Sequence, residues 1–381
     1  MQNCPAFPMN TKIKIFVDCH VFDYGFQGTR TYLQGLYSEL IKNTNFEFYL
    51  AATDVQNLKK CFGEADNVFY IEYKLKSKFF RLLFDIPYLI KKLKIDYAHF
   101  QYIVPPLKMC RYINSMHDIL FLEKKEYFPV MNRIKNGILY HLSGKISDII
   151  LTGSYFSKQS IEKHFVLTNV AVTVYGVEDL FFETFDAAQQ QQAVKQKFGY
   201  EKYLIYISRH EPRKNHYRLL KAFVALELYT QRDLVLVGDI TFHDPQFDHL
   251  LQSLEPAQKA KIHLLNKVPY SDLILLLRGA TLAVYPSIAE GYGLPPLESA
   301  AAGIPTLCSN ATSMGEFDFF GDDFFDPLDD EEIKMKIYHK LSNPNPEKAL
   351  EMSKLVAEKY NWKVASEAFL EVLETDIRKR N

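Results

Sequence analysis

Two carboxylates and two cations stand out as the groups able to do chemistry. Glu290 and Glu298 are separated by seven residues in A-E-G-Y-G-L-P-P-L-E-S-A-A-A-G, residues 289–303. A buried strand at residues 281–285 precedes Glu290, and a small-residue helix carries Glu298. Pro295 and Pro296 suit a first helical turn, where a missing N–H costs little. Gly303 and Pro305 end the helix. Between strand and helix, Gly291, Tyr292, Gly293 and Leu294 offer backbone N–H groups and the positive end of a helix dipole, a place for an anion. A carboxylate facing a phosphate would be repelled. Glu290 and Glu298 are therefore expected to face neutral hydroxyls, those of a sugar and a ribose. The cations come from S-R-H-E-P-R-K-N, residues 208–215. Arg209 and Lys214 lie five apart across another strand-to-helix turn, and such a pair can neutralise a diphosphate. No carboxylate partner for either is identifiable from the sequence.

Those groups need elements to hold them. Strands are expected at residues 12–18, 46–52, 68–73, 97–101, 112–117, 148–152 and 171–175. A second series follows at residues 203–208, 234–237, 261–265, 281–285 and 305–309, with helical stretches between most of them. Alternation of this kind predicts parallel sheets covered by helices on both faces. Two doubly wound domains would turn their strand ends toward each other, and a cleft between them is the default ligand site. The boundary is placed near Gly176, and residues 186–197, with a run of four glutamines, read as an exposed helix. Residues 362–378 carry apolar residues at helical spacing.

Three smaller signals accompany the main ones. Gly25-Phe26-Gln27-Gly28-Thr29-Arg30 is a glycine loop after the first strand, but it is not G-x-G-x-x-G. His117-Asp118 follows a strand end. Ser154 starts S-Y-F-S-K and is also a good N-cap. Residues 74–94 mix seven Lys and Arg with Phe79, Phe80, Leu83 and Phe84. Such a segment lies on an anionic membrane or packs as a core helix with a solvated lysine face.

Taken together, E-x7-E, R-x4-K, the glycine loop, the H-D pair and the S-x-x-S-K helix start resemble retaining glycosyltransferases of family 4. The resemblance covers nearly the whole chain and implies an α/β protein of GT-B fold, with two Rossmann-like doubly wound domains facing across a cleft. Residues 1–176 would form the acceptor side and 177–360 the nucleotide-sugar side. Residues 361–381 would form a helix crossing back to the first domain. It also implies roles. Glu298 would hold ribose hydroxyls; Glu290, Gly291, Tyr292, Gly293 and Leu294 would hold the donor sugar. His117 would lie against that sugar, Gly28 would approach the donor, and Arg209 and Lys214 would stabilise charge on the departing diphosphate. The implied donor is a nucleoside-diphosphate sugar, GDP-mannose first, and the acceptor a glycan or lipid-linked hydroxyl. Departures exist: Gln27 stands where relatives often have a second adjacent glycine, and Tyr175 and Glu178 replace the Asn and Asp of N-G-V-D, which leaves that segment a hinge role. A nucleotide-sugar epimerase or phosphorylase of this fold, or a non-catalytic glycan-assembly partner, are the alternatives.

Composition narrows the rest. The chain has 381 residues, a net charge of −1 and five scattered cysteines without a C-x-x-C pair. No nucleic-acid footprint, zinc site or disulfide framework is expected. There is no D-x-D triplet, so no metal and no cofactor are expected. The first ten residues lack the basic start and long apolar core of a signal peptide, and no apolar run is long enough to span a bilayer. A cytoplasmic protein is expected, peripheral at the inner face of a membrane if residues 74–94 lie on lipid.

Overall fold

The computed structural model describes residues 12–24 and 28–379. Seven parallel strands make the first sheet: β1 Ile13–Asp18, β2 Phe46–Ala52, β3 Val68–Glu72, β4 Tyr97–Gln101, β5 Arg111–Ser115, β6 Ile149–Thr152 and β7 Val170–Val172. Six parallel strands make the second: β8 Tyr203–Ile207, β9 Asp233–Val237, β10 Ile262–Leu265, β11 Leu282–Tyr285, β12 Thr306–Ser309 and β13 Phe324–Phe325. Helices cover the faces, so the inner strands read as continuous apolar runs; Y-L-I-Y-I of β8 and L-A-V-Y of β11 are buried throughout.

The strand order decides where a ligand can sit. In the first sheet it is β3-β2-β1-β4-β5-β6-β7, and in the second β10-β9-β8-β11-β12-β13. The direction of winding reverses between β1 and β4, and again between β8 and β11. At such a reversal the loops leave the strand ends in opposite directions and open a crevice. His20 follows β1, Gln101 ends β4, Arg209 follows β8 and Glu290 follows β11.

Most expected strands are present within one or two residues. β7 is shorter than expected, because the chain leaves the sheet after Val172 to approach Tyr292. β13 was not anticipated. The helical stretch after β8 is His216–Ala225 followed by a separate turn, Leu228–Thr230.

The Trp362–Arg378 helix lies on the Gly28–Leu40 helix of the first sheet's layer. Its inner face presents Trp362, Ala365, Phe369, Leu373 and Ile377. Gly35 is a glycine because Trp362 occupies the space a Cβ would need. Asp376 accepts a hydrogen bond from the Tyr97 hydroxyl at 2.8 Å and pairs with Arg111, whose Nε donates at 2.6 Å. The last helix is thereby fixed to β4 and β5.

Candidate active site between the two sheets

The half of the site built by the second sheet starts where β8 ends. Pro212–Lys214 forms a single tight turn, and Asn215 follows in the left-handed region at φ 62°. The Asn215 amide donates to Pro286 O at 2.9 Å and Pro327 O at 2.7 Å, which binds the β8 loop to the β11 loop. That tie places three charges together. The Lys214 ammonium pairs with one oxygen of Glu290, and Arg213 Nη1 lies 3.2 Å from the other. Ser287 Oγ donates to Glu290 at 2.8 Å, and Arg213 Nε also reaches Glu211 at 2.9 Å.

This corrects two expectations. Lys214 has a carboxylate partner, and Glu290 faces two cations rather than neutral hydroxyls. Burial favours the neutral acid, but Lys214, Arg213 and the Ser287 hydroxyl hold the Glu290 carboxyl well below the usual carboxylate range. Burial pushes the Lys214 ammonium down, and Glu290 opposes that. Glu290 is therefore ionised at neutral pH. Arg213 was overlooked beside Lys214, although adjacent basic residues on one tight turn are a signal that both can point into a site.

The E-G-Y-G loop is then held by its backbone. Glu290 N donates to Thr312 Oγ1 at 3.0 Å, and Ser313 Oγ donates to Glu290 O at 2.8 Å and Tyr292 O at 2.9 Å. Gly293 takes φ 104° and starts the Leu294–Ala301 helix, with Pro295 and Pro296 in its first turn. Helix and strand share a further tie through Tyr285 and Ser299 hydroxyls at 2.6 Å. Glu298 behaves unlike Glu290. It is partly exposed, yet burial of its carboxyl, with the charge of Glu178 added, pushes its pKa up to about 8. Among the described residues its carboxyl makes no hydrogen bond or ion pair. An acid left in that state is suited to hydroxyl partners.

The first sheet contributes a polar network behind β4 and β5. His117 is buried, with Nε2 2.8 Å from Gln101 Oε1 and Nδ1 2.6 Å from the Tyr175 hydroxyl. An amide oxygen only accepts, so Nε2 carries the proton and Nδ1 accepts from Tyr175. Burial drives the His117 pKa down to about 3, and the ring is neutral. Gln101 and Tyr175 therefore complete the His117 environment, and neither was expected from sequence. Gly28 opens the Gly28–Leu40 helix; Gly25, Phe26 and Gln27 lie outside the described residues.

The two halves touch through the same loops. Ser154 Oγ and Ser157 Oγ both donate to Gly291 O at 3.1 Å. Tyr155 N and Phe156 N, at the start of the Tyr155–Phe165 helix, donate to the Glu316 carboxylate at 2.9 and 2.6 Å, a favourable place for an anion. Tyr175 and Tyr292 pack with ring centroids 4.4 Å apart, and Tyr292 Oη bonds the Tyr175 backbone. The Asp118 carboxyl occupies the space that a Cβ on Gly291 would fill. Burial raises the Asp118 pKa, with Arg213 and Lys214 opposing and Glu290 adding to the rise.

Between these halves lies a cleft of about 840 Å³. Gly28, Gln101 and Tyr102 face Arg209, Asp239 and Thr241 across it. The structure thus brings Gly28 and Arg209 to one cavity. Glu290, Lys214 and Glu298 are not on its wall. Among the described residues no group of three or more His, Cys, Asp or Glu side chains is placed to hold a metal ion.

Comparison with known proteins now decides the family. The model of glycosyl transferases group 1 matches residues 188–355, the region of both charged motifs. O-antigen chain mannosyltransferase B of Escherichia coli is 30% identical over 262 residues, 65% of this chain and 67% of that protein. The chain belongs to the group 1 glycosyltransferases. The serotype-specific mannosyltransferase WbdA of Escherichia coli is 28% identical over 50% of this chain, but the matched region is only 24% of that longer protein. Among solved structures, HepE of Anabaena in complex with UDP and glucose superposes with a TM-score of 0.71 at 15% identity, covering 96% of this chain and 100% of that one. The fold of this glycosyltransferase is GT-B.

Proposed function

We propose that this glycosyltransferase moves a mannosyl residue from GDP-mannose to a hydroxyl of a glycan or lipid-linked acceptor, with retention of configuration and without a metal ion. One observation carries the reading. The Arg213–Lys214–Glu290 cluster, with Arg209 beside it, stands at the winding reversal of the second sheet, and among the described residues the Glu298 carboxyl on the next helix makes no hydrogen bond or ion pair. Residues 177–360 act as the nucleotide-sugar domain and residues 1–176 as the acceptor side, and the Trp362–Arg378 helix crosses back to the acceptor side.

The roles follow from charge. Glu298 accepts the ribose hydroxyls. Arg209 and Lys214, with Arg213, stabilise the diphosphate as it gains charge on leaving. Glu290 is committed to Lys214 and Arg213, so it orients the cations and the sugar-side loop Gly291–Leu294 and is not a free nucleophile. The departing phosphate then assists the acceptor on the same face of the sugar. Neutral His117, with both ring nitrogens engaged, fixes Gln101 and Tyr175, and Gln101 lines the cleft on the sugar side. The named activities of the mannosyltransferase relatives support the sugar, and the UDP and glucose bound by HepE support the donor class.

A membrane contact belongs to the same reading. No helix among the described residues is long and apolar enough to cross a bilayer. Residues 74–94 bury Ile86 and Ile90 against the core, so the core-helix reading is met on one face. The other face exposes Phe79, Phe80, Phe84 and Tyr88 beside lysines. The Val130–Ile146 helix adds exposed Met131, Ile134, Ile138 and Leu142, with Arg133, Lys135 and Lys145 and no acidic residue. An apolar face rimmed by cations suits anionic lipid at the inner face of a cytoplasmic membrane.

A donor panel tests the reading. GDP-mannose, GDP-fucose, UDP-glucose and UDP-N-acetylglucosamine are supplied separately and release of nucleoside diphosphate is followed. Faster turnover of GDP-mannose is expected; turnover of a UDP-sugar alone would overturn the donor assignment.

A further inference from the structure

The acceptor-side half holds a buried cation that the donor site does not use. Arg81 is 2% exposed, on the far side of the cleft from Arg209, and among the described residues its Nε and Nη2 have no hydrogen-bond acceptor. Its nearest carboxylate, Asp18, is 3.7 Å away, beyond hydrogen-bond length. Asp18 is meanwhile engaged by the Tyr73 hydroxyl at 2.8 Å, the His20 backbone at 3.3 Å and His20 Nδ1 at 3.0 Å. Arg81 rests on the Tyr73 ring at 5.2 Å instead. A buried guanidinium with unused donors is costly, and a protein keeps one where a ligand completes it.

Its setting says what the ligand is. Arg81 begins a π-helical turn, Arg81–Asp85, a local widening common at functional sites. Lys78 and His20 line the same cleft wall. Burial and the neighbouring Arg81 charge lower the Lys78 pKa, with Asp18 opposing, so the two cations feel one another across the cleft wall. A fork of guanidinium donors beside an ammonium matches a phosphoryl group. Next to it, on the same segment, Phe79, Phe80 and Phe84 are exposed. An anion and an apolar surface therefore meet at the mouth of the cleft.

We propose that Arg81 and Lys78, with His20, form a subsite for a phosphoryl group on the acceptor, separate from the cations that serve the donor diphosphate. This rests on the transferase reading for the word acceptor, but the site can be tested without turnover. Binding of farnesyl phosphate, mannose 6-phosphate, inorganic phosphate and farnesol is measured by calorimetry on the full chain, with GDP and UDP both in excess to fill the donor site. A phosphate ester is expected to bind and farnesol not. Arg81→Gln is expected to weaken phosphate-ester binding about 10- to 100-fold, the range for hydrogen bonds to a charged partner. Lys78→Ala is expected to weaken it several-fold. Tighter binding of farnesyl phosphate than of mannose 6-phosphate assigns the site to a lipid phosphate, and the reverse assigns it to a soluble one; both support the subsite. Phosphate esters that bind no better than farnesol, or bind Lys78→Ala and folded Arg81→Gln as they bind the unmodified chain, overturn it. Nucleoside diphosphate affinity, measured on the same proteins without the phosphate esters, reports separately on the donor reading.

Discussion

Glu298→Gln is expected to change both the pH dependence of stability and the proton release on nucleotide binding. The Glu298 carboxyl titrates near 4.5 when exposed and is pushed up to about 8 in the folded chain, first by burial and then by Glu178. Between those values the folded protein binds a proton that the unfolded chain has lost. Stability of the ligand-free protein is therefore intact below pH 4.5 and falls as pH rises toward 8. At 1.36 kcal/mol per pH unit, the loss at pH 7 is at most about 3.4 kcal/mol. The side chain keeps part of its surface in water, and screening reduces this to about 1–2 kcal/mol. Removing the ionisable group removes the loss. The melting temperature of Glu298→Gln should match the unmodified protein near pH 5 and exceed it by about 2–8 °C near pH 8, at about 2–4 °C per kcal/mol. Hydroxyls that donate to Glu298 favour its ionised form, so nucleotide binding to the unmodified protein should release a proton near pH 7. The calorimetric enthalpy should then vary with the ionisation enthalpy of the buffer, and in Glu298→Gln it should not. Affinity for the nucleotide should drop by about 1.5–3 kcal/mol. Identical pH profiles for the two proteins, with unchanged nucleotide affinity, would refute the reasoning.

Lys214→Ala should lower kcat on the order of 10²–10³ with a smaller change in KM; steady-state kinetics showing only a raised KM would leave Lys214 a donor-binding residue. The same substitution leaves Glu290 with Arg213 as its remaining cation, so chemical unfolding should show a loss below the roughly 3–5 kcal/mol of a fully broken buried pair. Gly291→Ala should abolish most activity in a folded protein, because the added Cβ displaces Asp118 across the domain contact; circular dichroism and a transfer assay separate this from misfolding. Sedimentation with anionic vesicles should exceed that with neutral vesicles at low salt, at about 1 kcal/mol per well-placed cation, and Phe80→Ser with Phe84→Ser should reduce it.

Much of the fold was legible because buried parallel strands are apolar runs whatever surrounds them, as in β8 and β11. β13 was not, since two residues, Phe324 and Phe325, sit in an acidic, glycine-containing stretch without any period. Both charged motifs were visible, yet their mutual pairing was not. Lys214 and Glu290 are 76 residues apart, and only the adjacency of β8 and β11 in the sheet brings them together. The same holds for Arg81. In sequence it is one cation of a basic segment; the fold turns it inward against Asp18 and Tyr73 while its lysine neighbours stay outside. Tyr175 could be seen as a departure from N-G-V-D, but its bond to His117 depends on β7 ending early.

The central claim is same-face mannosyl transfer driven by fixed protein cations, with Glu290 locked in an ion pair. Proton NMR of the product formed from GDP-α-mannose in excess EDTA tests it most directly. An α-mannoside formed at an undiminished rate is the predicted result. A β-mannoside, or transfer that stops with EDTA and returns with Mg²⁺ or Mn²⁺, would contradict it.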